Sequence, residues 1–105
     1  MAAWLVIDMY DMNQVKAQEL AELYKVFGDA TRIRIMCALH DKELCGGDLV
    51  QILGIGQSVV SHQLKILKDA KLVCTRREGQ KIFYSLSDEH VSFILGTGIE
   101  HLEEK

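Results

Sequence analysis

The stretch Gly54-Ile55-Gly56-Gln57-Ser58-Val59-Val60-Ser61-His62-Gln63-Leu64-Lys65-Ile66-Leu67-Lys68-Asp69-Ala70-Lys71 decides how the chain is read. Gly54 can end one helix and Gly56 can cap the next, so the two glycines mark a tight turn. From Gln57 to Lys71 the apolar residues recur at helical spacing, with Val60, Leu64 and Leu67 on one side. Gln57, Ser58, Ser61, His62, Lys65 and Lys68 fall on the other side. Gln63 lies among the aliphatic residues and is expected to make a buried hydrogen bond there. The polar arc is either the solvated face of an amphipathic helix or a set of hydrogen-bonding groups offered to a partner.

The flanking sequence narrows that choice. Upstream, Gln14 to Phe27 reads as a helix ended by Gly28, and Asp29 can cap a second helix from Ala30 to His40. Asp48 to Leu53 reads as a short third helix closed by Gly54. Downstream the period changes to that of strands. Val73 to Arg77 and Lys81 to Leu86 are joined through Glu78-Gly79-Gln80, a hairpin turn. A last helix is expected over Asp88 to Glu104. A short helix, a glycine turn, a longer helix and a basic hairpin make a winged helix-turn-helix. The expected class is mainly α, with about five helices and a β-hairpin wing. Residues 1–12 form an amino-terminal arm and residues 13–105 one DNA-binding and dimerisation domain.

Bulk properties agree with a single small domain. The chain has 105 residues, 49% of them apolar and 26% charged, too apolar for a disordered protein and too short for two cores. Three cysteines, Cys37, Cys45 and Cys74, include no C-x-x-C pair, which argues against a disulfide framework and suits a reducing cytosol. The apolar run Ala2 to Ile7 is short and closed by Asp8, and no stretch reads as a membrane span, so a cytoplasmic location is expected. The net charge of −3 hides a division. Between Gln57 and Lys81 six bases outnumber two acids, whereas Asp88 to Lys105 holds five acids and one lysine. A basic middle beside an acidic tail points to two partners on two faces.

The basic middle suits double-stranded DNA. Gln57, Ser58, Ser61 and His62 sit near the amino end of the fourth helix, where a recognition helix meets base edges. Lys65 and Lys68, further along, and Arg76, Arg77 and Lys81 on the hairpin suit phosphates. Three stretches then carry a family resemblance. Glu43-Leu44-Cys45-Gly46-Gly47-Asp48-Leu49, Val60-Ser61-His62-Gln63-Leu64-Lys65-Ile66-Leu67, and Leu72-Val73 with Arg77-Glu78-Gly79-Gln80-Lys81-Ile82-Phe83-Tyr84 resemble the ArsR/SmtB family of bacterial metal-sensing repressors. The likeness runs from about Leu20 to Glu104. It implies a homodimeric repressor that binds an inverted-repeat operator and lets go when an inducer binds. Gly56 departs from the serine that often caps the recognition helix in relatives, at a cost of a few tenths of a kcal/mol.

The acidic tail carries Asp88, His90, His101 and Glu104. The two histidines share a helix face but lie about 16 Å apart along it, too far to reach one metal ion. Two copies packed antiparallel would bring His90 of one beside His101 and Glu104 of the other, making two equivalent sites. The crossing would fall at Gly96-Thr97-Gly98, where two mid-helix glycines otherwise cost roughly 1 kcal/mol each. The same residues also fit an ordinary acidic helix with a capping Asp and surface histidines. The D-x-H…H-x-x-E spacing is similar to the C-terminal-helix zinc site of the family's zinc sensors. That likeness implies Zn(II) as regulatory ligand, two sites per dimer, with Co(II) a fitting substitute.

Cys45 and Asp48 match part of a second metal site of the family. Its other donors are cysteines or histidines of the amino-terminal arm, which residues 1–36 lack, or a cysteine where this chain has Gly47. Cys37 and Cys74 read as small buried hydrophobes. The alternative function keeps the DNA-binding dimer but senses a thiol-reactive or redox signal through cysteines. An enzyme is not expected, because four ligands saturate zinc and no HExxH or nucleophile motif is present.

Overall fold

The computed structural model describes Met9 and residues 12–104. The expected amino-terminal arm, residues 1–12, lies almost wholly outside the described residues. The element order is α1 (Gln14–Phe27), α2 (Ala30–Ala38), β1 (Leu44–Cys45), α3 (Gly46–Leu53), α4 (Gln57–Asp69), β2 (Val73–Glu78), β3 (Lys81–Leu86) and α5 (Glu89–Glu103). This is a winged helix-turn-helix, with five helices and a three-stranded sheet among the described residues. No helix among them is long and apolar enough to cross a membrane.

Local chemistry sets most of the boundaries. Asn13 caps α1 by accepting the Lys16 N–H at 2.8 Å, and Asp29 caps α2 by accepting the Arg32 N–H at 3.0 Å. α2 stops at Ala38, two residues before the expected His40, and Asp41 follows in a left-handed conformation at φ 55°. α3 starts two residues earlier than expected, because Cys45 is extended and the Asp48 carboxylate reaches back to its N–H at 3.0 Å. Gly54 ends α3 at φ 67°, the left-handed geometry that suits glycine. α4 closes at Asp69. There the Leu72 N–H bonds the Leu67 carbonyl and the Lys71 N–H bonds the Lys68 carbonyl, a Schellman motif that turns the chain into β2.

One core unites these pieces. Phe27 of α1, Ile35, Met36 and Leu39 around α2, Leu49 of α3, and Val60, Leu64 and Leu67 of α4 are buried together. Leu72, Val73 and Val91 complete the cluster. The aliphatic side of α4 is therefore spent inside, as its periodicity required. The sheet order is β1-β3-β2, antiparallel throughout. β1 was not expected: its two residues become a strand only by pairing, Leu44 with Tyr84 and Cys45 with Phe83. The hairpin turn shrinks to Gly79-Gln80, with Gly79 at φ 62°.

Two cysteine expectations fail. Cys37 and Cys74 are exposed rather than buried. On α2, Ile35, Met36 and Leu39 define the inward side, and Cys37 lies about 150° from its centre at 100° per residue. On β2, Cys74 follows the buried Val73 and so points to the opposite face of the sheet.

Candidate nucleic-acid interface and metal centre

The exposed side of α4 carries Gln57, Ser58, Ser61, His62, Lys65 and Lys68, along a helix whose other side is locked in the core. Val59 joins them, with 43% of its surface open. Lys65 meets Asp69 at 3.2 Å, one helical turn on, but both side chains are exposed. Such a pair is worth little and releases its lysine readily. Gln63 makes the expected hydrogen bond, accepting from Arg32 Nη1 at 2.9 Å, but is half-buried rather than buried.

The wing places its three expected cations in different settings. Arg77 and Lys81 are exposed near the tip, and neither pairs with a carboxylate among the described residues. Arg76 is committed. Its Nε and Nη2 grip Glu43, with a shortest contact of 2.7 Å, and its Nη1 holds Glu78 at 2.7 Å. Register explains this: Arg76, Phe83 and Cys45 are neighbours across β2, β3 and β1, so they share one face. The guanidinium lies 4.9 Å from the Phe83 ring centre and reaches Glu43 beyond β1. Its hydrogen bonds hold the Glu43 carboxyl below the ordinary carboxylate range, and the two carboxylates raise the Arg76 pKa further. No sequence signal marks Glu43, because it meets Arg76 across 33 residues of chain.

The four expected metal ligands fall into two pairs at opposite ends of α5. Asp88 is the N-cap, and its Oδ1 accepts the His90 N–H at 2.9 Å while lying 3.4 Å from His90 Nδ1. Being outside the helix lets Asp88 approach a residue two positions on, which regular helical spacing forbids. At the other end His101 Nδ1 lies 3.3 Å from Glu104 Oε2. All four side chains are well exposed. Within one protomer, no three His, Cys, Asp or Glu side chains among the described residues could hold a metal together. The donor spacing does suit half a site. Two donors on a tetrahedral zinc, each about 2 Å from it, lie about 3.3 Å apart.

The structure also brings Cys45 and Asp48 together, with Cys45 Sγ 3.2 Å from Asp48 Oδ2. The Cys45 N–H, and after it the thiol, hold the Asp48 carboxyl below its ordinary value. That carboxylate is serving as a cap for α3.

Much of the apolar surface of α5 is used internally. Val91 is buried, and Ile94 and Leu95 pack against the core. Ile99, Leu102 and Phe93 remain exposed. On α1, Val15, Leu20 and Tyr24 are exposed as well.

A helix-turn-helix with a polar outer face on its second helix and a basic wing beside it defines a DNA-binding regulator. The sequence profile of the bacterial regulatory protein arsR family matches residues 29–75. A transcriptional repressor SmtB homolog from Synechocystis is 41% identical over 93 residues, covering 89% of this chain and 70% of that one. A cadmium resistance regulatory protein CadC homolog from Staphylococcus aureus is 32% identical, covering 90% of this chain and 78% of its own. Among solved structures, reduced HlyU from Vibrio cholerae superposes with a TM-score of 0.76 at 32% identity, covering 88% of this chain and 96% of that one. The chain belongs to the arsR family of bacterial transcriptional regulators.

Proposed function

We propose that this protein is a cytoplasmic, metal-responsive repressor that binds an inverted-repeat operator as a homodimer and is released by Zn(II) held between paired α5 helices. The observation that carries the reading is the pairing of donors at the two ends of α5. Asp88 with His90, and His101 with Glu104, each stand 3.3–3.4 Å apart, and neither pair is complete alone. An antiparallel partner helix supplies the missing half at both ends. Two imidazoles and two carboxylates suit tetrahedral zinc, and Co(II) fits the same set. The metal supplies a cross-link between protomers and no bond-breaking chemistry, so the protein is not an enzyme.

Residues 13–105 then act as one DNA-binding and dimerisation domain. The exposed apolar residues of α1 and α5 support the seam. Gly96 and Gly98 support it too, since among the described residues nothing lies within 4 Å of a Cβ added at either. Gln57, Ser58, Ser61 and His62 face base edges, and Lys65, Arg77 and Lys81 face phosphates. Arg76 serves the interface by holding the wing. Release on metal binding, rather than recruitment, is the direction implied by the family. Competition titration with a chromogenic zinc chelator tests the site. Two zinc ions per dimer are expected, and His90→Ala should abolish both sites. Full zinc affinity in His90→Ala would reject the ligand set.

Two exposed thiols, Cys37 and Cys74, favour a second reading in which the dimer senses an oxidant or thiol reagent. The likeness to HlyU, whose structure was solved in a reduced form, supports it. Alkylation with iodoacetamide separates the two. A zinc sensor keeps its DNA binding and zinc response after alkylation, and a thiol sensor does not.

A further inference from the structure

We infer that Arg32 and Gln63 form a positioning device that fixes the rotation of the recognition helix, so that operator selectivity depends on two residues that touch no DNA. The inference rests on α4 being the DNA-reading helix.

Arg32, on the first turn of α2, is tied at both ends. Its side chain is 16% exposed, low for an arginine. Nε donates to the Val26 carbonyl at 2.8 Å and Nη2 to the Lys25 carbonyl at 3.4 Å. Both carbonyls belong to the last turn of α1, where carbonyls run short of helical partners and the dipole favours a cation; the Lys25 carbonyl also accepts the Gly28 N–H at 3.1 Å. The guanidinium thus closes α1. Its remaining arm, Nη1, donates to Gln63 Oε1 at 2.9 Å, on the inner side of α4. Since guanidinium is a rigid planar fork, fixing two arms on α1 fixes where the third points.

The consequence for α4 is geometric. Gln63 follows His62 directly and lies one turn from Val59, so pinning its inner side decides where the outer side faces. Side-chain ends sit about 5–6 Å from a helix axis, so a 10° rotation moves them by about 1 Å. A hydrogen bond to a base edge tolerates only a few tenths of an ångström. The core residues Val60, Leu64 and Leu67 keep α4 seated, but aliphatic contacts are non-directional and resist a small roll weakly. The Arg32–Gln63 bond supplies the missing direction. Because phosphate contacts are long, charged and sequence-independent, a roll of α4 should damage selectivity and spare non-specific binding.

The test uses the full chain and an operator selected from random duplexes by the metal-free protein. Affinity for that operator and for random duplex is measured by fluorescence anisotropy, with thermal midpoints in parallel. Gln63→Leu removes the acceptor at similar size, and the operator-to-random ratio should fall roughly tenfold, as for one lost base contact per site. Gln63→Glu keeps an acceptor for Arg32 and should hold the ratio within about twofold of wild type. Arg32→Lys, whose ammonium lacks the planar fork, should behave like Gln63→Leu, and the Gln63 pair decides the matter if this variant folds poorly. A merely structural role would lower both affinities with the thermal midpoint and leave the ratio alone, which would overturn the inference. So would an equal loss of ratio in Gln63→Glu and Gln63→Leu. Ser61→Ala is the control for the reading beneath. If Ser61→Ala loses the ratio while Gln63→Leu keeps it, only the positioning claim falls; if both keep it, the assignment of α4 falls too.

Discussion

Replacing Arg76 and Arg77 one at a time should separate two kinds of basic residue that the sequence leaves side by side. Arg77 is exposed with no carboxylate partner among the described residues, whereas Arg76 is gripped by Glu43 and Glu78. Each phosphate contact adds about 0.9 to the slope of log affinity against log salt. Two wings per dimer make the loss for Arg77→Ala about 1.8. Over a fourfold rise in salt, from about 50 to 200 mM, the wild type should therefore lose about 12-fold more affinity than Arg77→Ala. Arg76→Ala should keep the wild-type slope, because its guanidinium neutralises carboxylates rather than phosphates. Its affinity should still drop at every salt concentration, since β2 loses its tie to Glu43 beyond β1. The assay is anisotropy of a labelled random-sequence duplex across a salt series. An Arg76→Ala slope as flat as that of Arg77→Ala would refute the division of roles.

Three further outcomes follow from particular contacts. Sedimentation of the metal-free protein at micromolar concentration should give twice the chain mass, and Leu102→Glu, at an 84% exposed position on α5, should shift it to monomer. Cys45→Ser should keep the zinc response, because the donors needed to complete a site at Cys45 and Asp48 are missing from residues 1–36. Loss of response with an intact fold would contradict that. Glu43→Gln should lower stability near neutral pH but not in acid. The Glu43 carboxyl is depressed below 4.5 chiefly by the Arg76 hydrogen bond, so its contribution is present above that value and is lost as pH falls through the lower folded-state value. Urea midpoints of the two proteins should converge in acid, and a gap independent of pH would count against the ion pair.

What the sequence made legible depended on the range of the interaction. α1 matches its expected bounds, Gln14–Phe27, because Asn13 and Gly28 act on adjacent turns. The inward side of α4 was equally plain, since Val60, Leu64 and Leu67 repeat at helical spacing. The early start of α3 is not legible in sequence, because Gly46-Gly47 has low helix propensity and joins the helix only with Asp48 reaching back to Cys45. β1 was out of reach, because Leu44 and Cys45 form a strand only against β3, nearly 40 residues later. A separation of 33 residues likewise hid Glu43 from Arg76. Gln63 was recognised as turned inward, but its partner Arg32, 31 residues earlier, was not. For the metal centre, residue spacing pointed to the two ends of α5, and the structure added the closeness of Asp88 to His90, which a cap geometry makes achievable.

The central claim is that zinc at the two ends of α5 releases DNA, and one titration tests it. The metal-free protein is bound to its selected operator, and zinc is added while anisotropy is followed. Clamping paired α5 helices restricts the spacing of two recognition helices, and a palindromic site accepts only one spacing, about one DNA turn. Linkage then requires bound DNA to weaken zinc binding by the same factor, a coupling of about 1–3 kcal/mol. The expected result is release of wild type on zinc addition, with His101→Ala, which loses one ligand from each site, staying bound throughout. Tightening of the wild-type complex by zinc, or release of His101→Ala at the same zinc concentration as wild type, would contradict the account.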